Sequence, residues 1–338
     1  MTTLTHAHNA LYRRPPDDRM ESLDDLFTRC RSDRESSEER WKRPQELTVT
    51  SDLTLAIDDN PDFTLNDWSF SQLCRLAGVS RDTVNRVSRK TASRIFGETL
   101  PSADKPIQIL TSGDTIRSVH GVAYTRLWNA DLLDVVQEAA TDFRQPQTAA
   151  GGGTGLYCGE RDMFCFLIDP TGWAEINGQA FAPGFFLYNS EVGCRSVGIQ
   201  TFWFQKVCAN HIVWDAVEVV DFKRKHTANV GDALSEIRRI IESLVQKRDQ
   251  RRDGFVNVMR KAMTERLGNN VDETVQQLLK RGFRRKLAEA AIEIAQKQGA
   301  FTIFAVFDAL TQLAQRTNYI GERTELDIQA AAILELAV

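Results

Sequence analysis

The sequence predicts an α+β fold, with a central antiparallel sheet flanked by helices and a helical C-terminal third. Three observations carry this. Residues 156–222 are dense in short β-branched and aromatic runs separated by turn dipeptides. From Val230 onward apolar residues recur at helical spacing. Strand-like and helix-like runs are mixed in residues 49–155. The chain has 338 residues, 42% hydrophobic and 26% charged, which excludes a collagenous or wholly disordered polymer. No run of about 18 uncharged apolar residues occurs, so no membrane span is expected. The N-terminus lacks a secretory pattern, and six scattered cysteines form no Cys-x-x-Cys pair. Reduced thiols and a cytoplasmic location are the expectation.

Residues 1–48 read as a disordered or weakly ordered tail, with Pro15-Pro16, Asp17-Asp18 and Glu38-Glu39 interrupting any apolar period. A short helix near Leu23 to Cys30 is compatible with its three apolar residues. Residues 49–222 form the predicted mixed α/β and then all-β core. Leu47 to Ile57 alternates like one or two strands, closed by Asp58-Asp59-Asn60-Pro61. Asn66 to Phe96 is helical, 107–110 and 115–124 are strands, and a helix follows Asn129.

The loop 145–155 contains Gly151-Gly152-Gly153-Thr154-Gly155. It lacks the Gly-Lys-Ser/Thr ending of a phosphate loop and precedes a strand, so it reads as a flexible linker. The strands expected next are 163–168, 173–176, 185–189, 196–208 and 212–220, with Asn177-Gly178 and Pro183-Gly184 as turns. Residues 223–338 form the predicted helical region, opened by the stripe Leu234, Ile237, Ile241 and Leu244.

The net charge of −4 hides an asymmetry. Residues 1–60 hold 9 basic and 13 acidic groups, whereas residues 221–290 hold 17 basic and 10 acidic groups. Basic pairs on successive helices either form solvated outer faces or neutralise successive phosphates. The second reading selects Arg195, Lys206, Lys223, Arg224, Lys225, Arg238, Arg239, Lys247 and Arg248 as nucleic-acid contacts. Phe185-Phe186-Leu187-Tyr188 and Phe202-Trp203-Phe204 then either stack bases of a single strand or fill the sheet's inner faces.

Two other patterns compete. Residues 71–87 resemble a helix-turn-helix, with Gly78 at the turn, Ser80 as cap, and Arg81, Thr83 and Asn85 toward a groove. The carboxylates Glu160, Asp162 and Glu191 would serve a metal-dependent enzyme if they converged, but no Asp-x-Asp cluster or Ser-His-Asp set is present. Cys194, Cys208 and His211 make a zinc site only if the strands pair suitably.

Four stretches carry a family resemblance. These are Asp67-Trp68-Ser69-Phe70-Ser71-Gln72-Leu73-Cys74; Thr115 to His120 with Ala123-Tyr124; Asn189-Ser190-Glu191-Val192-Gly193; and Lys206 to Asn210 followed by His226. Over residues 50–338 the chain resembles the phage/plasmid-like proteins grouped as domain of unknown function 932. His211 stands where that family has glycine, and Gly121 and Thr125 depart from its Ser-x-Arg-Tyr pattern. The resemblance implies carriage on mobile elements and no settled activity. It also implies that residues 71–87 are a helix pair within the fold, and that Asn189, Ser190, Glu191, Gly193 and Asn210 are motif positions.

The leading expectation is therefore a nucleic-acid-binding protein, DNA and single-stranded in its sharpest form. It uses no cofactor, does not enter membranes, and forms a homo-oligomer if Phe202 and Phe204 need cover. The alternatives are a sequence-specific regulator, a metal enzyme, and a module for an acidic protein partner.

Overall fold

The structure is a computed structural model. It describes residues 10–57, 60–147, 154–206, 210–213, 221–297 and 301–338. In chain order the elements are β1 (Asp18–Arg19), α1 (Leu23–Glu35), β2 (Ser37–Lys42), β3 (Thr48–Val49), β4 (Leu55–Ile57) and β5 (Asn60–Leu65). Next come α2 (Asp67–Leu76), α3 (Arg81–Val84), α4 (Arg89–Thr99), β6 (Ile107–Ser112), β7 (Thr115–Gly121) and α5 (Asn129–Ala139). The β block holds β8 (Leu156–Cys158), β9 (Met163–Ile168), β10 (Ala174–Ile176), β11 (Gln179–Asn189), β12 (Val197–Gln205), β13 (Asn210–Ile212) and β14 (Asp221–Arg224). The helices α6 (Asp232–Gln246), α7 (Arg248–Thr264), α8 (Val271–Lys280), α9 (Arg285–Lys297), α10 (Ile303–Ala314) and α11 (Ile320–Ala331) complete the chain.

The α+β class is as expected. An eight-stranded antiparallel sheet runs β1-β8-β9-β11-β12-β13, with β10 beside β11 and β14 beside β12. A six-stranded sheet runs β2-β6-β7-β5-β4-β3, and its β5–β7 pair is parallel. Leu156, Cys165, Phe185, Leu187 and Ile199 lie on one face of the large sheet, against α1, α5 and α6. The same face of the sheet carries a second, separate cluster, where Phe181 and Trp203 meet the C-terminal helices and Trp203 stacks on Phe255 at 4.0 Å. The opposite face holds Phe164, Phe166, Phe186, Tyr188, Phe202 and Phe204. The small sheet packs on α2 and α4 through Phe70, Leu73, Ala92 and Phe96.

Two expectations about elements need correction. The segment read as a tail is folded from residue 10 onward. Ser22 caps α1 with a capping box to Asp25, and Leu26, Phe27 and Cys30 bury one face of that helix. β2 carries almost no apolar signal because backbone pairing to β6 holds it, not side-chain burial. Pro183-Gly184 is no turn, since it lies inside β11. Pro183 sits where the neighbour of β11 changes, from β10 opposite Phe181 to β9 opposite Gly184, and a missing N–H is tolerated there.

The helix-turn-helix reading also fails. Gly78 turns the chain at φ +67° and Ser80 caps α3, but α3 is a single turn of four residues. Arg81 is held by Asp67 and Ser71, and Asn85 is buried in two hydrogen bonds with the backbone of Tyr12. The glycines 151–153 lie outside the described residues, and a strand, β8, follows them. Among the described residues no helix is long and apolar enough to cross a membrane.

Candidate functional site

The nine basic residues chosen from sequence do not meet as one track. Five are each paired with an acid: Arg195 with Asp162 at 2.7 Å, Arg224 with Asp232, Arg238 with Glu138, Arg239 with Glu236, and Arg248 with Asp169 and Asp142. The Lys206 ammonium lies over the Trp173 ring at 5.9 Å. Lys223, Lys225 and Lys247 are exposed. The strand aromatics offer no stacking platform, because Phe185, Phe186, Phe202, Trp203 and Phe204 are buried on the two covered faces of the sheet. The same burial removes the need for a partner subunit to cover Phe202 and Phe204.

The carboxylates proposed for a metal do not converge either. Asp162 is taken by Arg14 and Arg195, and Glu191 by Arg117 at 2.8 Å. Among the described residues no three His, Cys, Asp or Glu side chains form a metal cluster. Cys208 and the His211 side chain fall outside them. Burial, then Asp67, pushes Glu160 up to about 7, so its carboxyl is poised between charge states instead of firmly anionic.

The motif turn after β11 does bring groups together. Asn189 donates to the Leu127 carbonyl and to Asn129 Oδ1, both at 2.9 Å. Glu191 accepts the backbone N–H of Asn129 at 2.9 Å, which places a carboxylate at the first residue of α5, and it accepts Arg117 from β7. Arg126 and Tyr124 both donate to the Glu191 carbonyl. Gln72 receives the Val119 N–H and reaches the Val192 carbonyl, while Trp68 donates to Val192 at 2.7 Å. The turn is thus a clasp between the large sheet, the small sheet and α5. Asn210 begins β13, away from this clasp in the chain, and its side chain is not among those described.

Beside the clasp lies a cleft of about 450 Å³, lined by His120, Tyr124, Cys194, Arg195, Lys225 and His226 among others. Three rings stack along it. His120 and Tyr124 have centroids 3.7 Å apart at 9°, and Tyr124 and His226 are 5.4 Å apart. Gly193 makes room for them: its φ is +71°, and a Cβ there would come within 2.5 Å of His120 and 3.0 Å of Tyr124.

Two cations line the cleft, Lys225 and the Asp162-paired Arg195, yet its imidazoles are neutral. Burial, then Arg126, lowers His120 to about 3. Burial, then Arg126, lowers His226 to about 4, against an opposing pull from the Thr125 backbone. His226 is 8% exposed, and its Nδ1 meets the Thr125 carbonyl at 3.3 Å. A carbonyl only accepts, so Nδ1 carries the proton and Nε2 keeps a lone pair. That Nε2 is buried without a hydrogen-bond partner. The Cys194 thiol is pushed up by burial and Asp162, so it is no activated nucleophile.

Comparison with known proteins gives one match. Residues 118–324, more than half of the chain, match the family described as Domain of unknown function (DUF932). The chain belongs to this family. The matched span starts within β7 and takes in the motif turn, the cleft and most of the C-terminal helices, while the clasp partners Trp68, Gln72 and Arg117 precede it. The Asp67–Cys74 stretch, part of the sequence resemblance, precedes it. No curated protein and no solved structure matches.

Sequence reasoning placed Asn189, Ser190, Glu191 and Gly193 in one motif but missed their partners Arg117, Arg126 and Asn129. It also passed over the His120–Tyr124–His226 stack. The signal was present: two of only five histidines fall in family-like segments more than 100 residues apart.

Proposed function

We propose that this member of the DUF932 family binds a phosphoryl-bearing ligand of nucleotide size in the cleft beside the clasp. The observation that supports it most is His226, a buried imidazole with an unpartnered Nε2 acceptor, lining a cleft beside exposed Lys225. An unsatisfied buried acceptor calls for a donor, and exposed Lys225 calls for an anion. A phosphorylated ligand that also carries an N–H or O–H donor meets both demands. The volume is within the range of small-molecule sites. The ligand's source is either a free nucleotide or a nucleotide of a DNA strand. In the second form exposed Lys223 and Lys247 are further phosphate contacts, and the mobile-element association implied by the sequence resemblance accords with it.

Titration calorimetry with inorganic phosphate, a nucleoside monophosphate and a short single-stranded oligonucleotide tests this. The monophosphate should bind better than phosphate, and Lys225→Glu should weaken it by about tenfold or more. If the oligonucleotide binds tighter, with a steep salt dependence, the strand is the ligand; equal affinity points to the free nucleotide. Absence of heat with all three probes, or affinity untouched by Lys225→Glu, rejects the reading.

A further inference from the structure

The small sheet ends on β2, whose sequence is Ser37-Glu38-Glu39-Arg40-Trp41-Lys42. A terminal strand presents a row of backbone N–H and C=O groups to any chain able to lie beside it. Shortness, proline, a bulge or charged side chains usually blunt such an edge, and of these β2 carries only the charges, which repel most strands and leave pairing to one whose charges match. β2 has six residues, no proline, and an unbroken register with β6. Near its end Trp41 is 48% exposed, the bulkiest exposed apolar side chain among the described residues.

We infer that this edge docks a second copy of the chain, β2 against β2 and antiparallel, so that the two small sheets become continuous. Its charges select the partner. A two-fold axis perpendicular to the sheet keeps every side chain on its own face, so facing residues share parity. Centred on Glu39, the pairing sets Glu38 opposite Arg40 of the second copy, twice, and Ser37 opposite Trp41, twice. The one like-charged encounter is Glu39 with Glu39, and each is already held by Arg126 at 2.7 Å. Glu38 and Arg40 already attract each other along the strand, so the dimer reuses that match across the interface. The alternative centre, Arg40, sets Arg40 against itself while pairing Glu38 with Lys42 twice, and the exchanged double variant below separates the two registers, because there Glu38→Arg would set a cation against Lys42. An uncharged strand from another protein gains none of these pairs.

Light scattering after size exclusion, at micromolar concentration in low salt, reads the outcome. Wild type should run at twice the chain mass. Glu38→Arg, at a side chain 63% exposed and outside the core, should run at the monomer mass while keeping the wild-type melting temperature. The exchanged double variant Glu38→Arg with Arg40→Glu should recover the dimer. Trp41→Lys, a second variant on the same edge, should also be monomeric. A monomeric wild type, or a dimer indifferent to both Glu38→Arg and Trp41→Lys, overturns the inference. These outcomes are independent of whether the cleft binds phosphate.

Discussion

Acid should unfold this protein partly through His226, and the size of the effect follows from its surroundings. In the folded chain its proton affinity is held down to about 4, mainly by burial and secondarily by Arg126. An unfolded histidine titrates near 6.5. The sign follows: below about pH 6.5 the unfolded chain takes up a proton that the folded chain refuses, so stability is complete above that pH and drains away toward pH 4. Between pH 8 and pH 5 the loss from this group is about 2 kcal/mol. Glu160 and Asp327, each raised to about 7, push the other way, so the total curve mixes several groups. Comparing wild type with His226→Gln isolates one of them. Urea unfolding followed by tryptophan fluorescence at pH 8, 6.5 and 5 gives both curves. The gap in stability between wild type and variant should change by about 2 kcal/mol in favour of the variant on going to pH 5. Parallel curves would refute the assignment of His226 as a neutral buried imidazole.

Other outcomes are expected. Glu191→Ala leaves Arg117 and the Asn129 N–H without their acceptor and should cost about 3 kcal/mol in the same unfolding assay; a change within experimental error contradicts the clasp. Gly193→Ala combines a left-handed backbone with a clash on His120 and should cost about 1–3 kcal/mol, together with a loss of phosphate-probe binding in the cleft. Trp203→Ala should cost about 3–5 kcal/mol by opening the space against Phe255. A thiol reagent at mildly alkaline pH should modify Cys194 before Cys30, Cys74, Cys158 or Cys165, because those four are buried and Cys165 is pushed up to about 12; mass spectrometry of the native protein decides it.

The parts of the fold that read directly from sequence are those whose burial is periodic. β9 has the expected bounds because Met163 to Ile168 is an unbroken apolar run, and α6 follows the stripe of Leu234, Ile237, Ile241 and Leu244. β2 was invisible for the opposite reason: its residues are mostly charged, and what makes it a strand is a partner 70 residues away. Pro183 misled because its local preference for a turn is overridden by a change of neighbouring strand. The cleft hides from sequence for a related reason. His120 sits near the end of β7, Tyr124 and His226 lie just past β7 and β14, and only tertiary packing stacks them. The arginine pairs looked like a polyanion track because sequence shows the cations of a helix but not the acids of distant elements, such as Glu138 beside Arg238.

The opening of the chain is divided between both sheets. Asp18 lies against Cys158 in the large one, and Glu38 lies against Thr111 in the small one. Synthesis therefore leaves β1 waiting for about 140 further residues before its neighbour β8 exists. Leu26 and Phe27 of α1 find their first cover on α5 and complete it only with the large sheet, so losing residues 18–42 would leave both sheets without a strand.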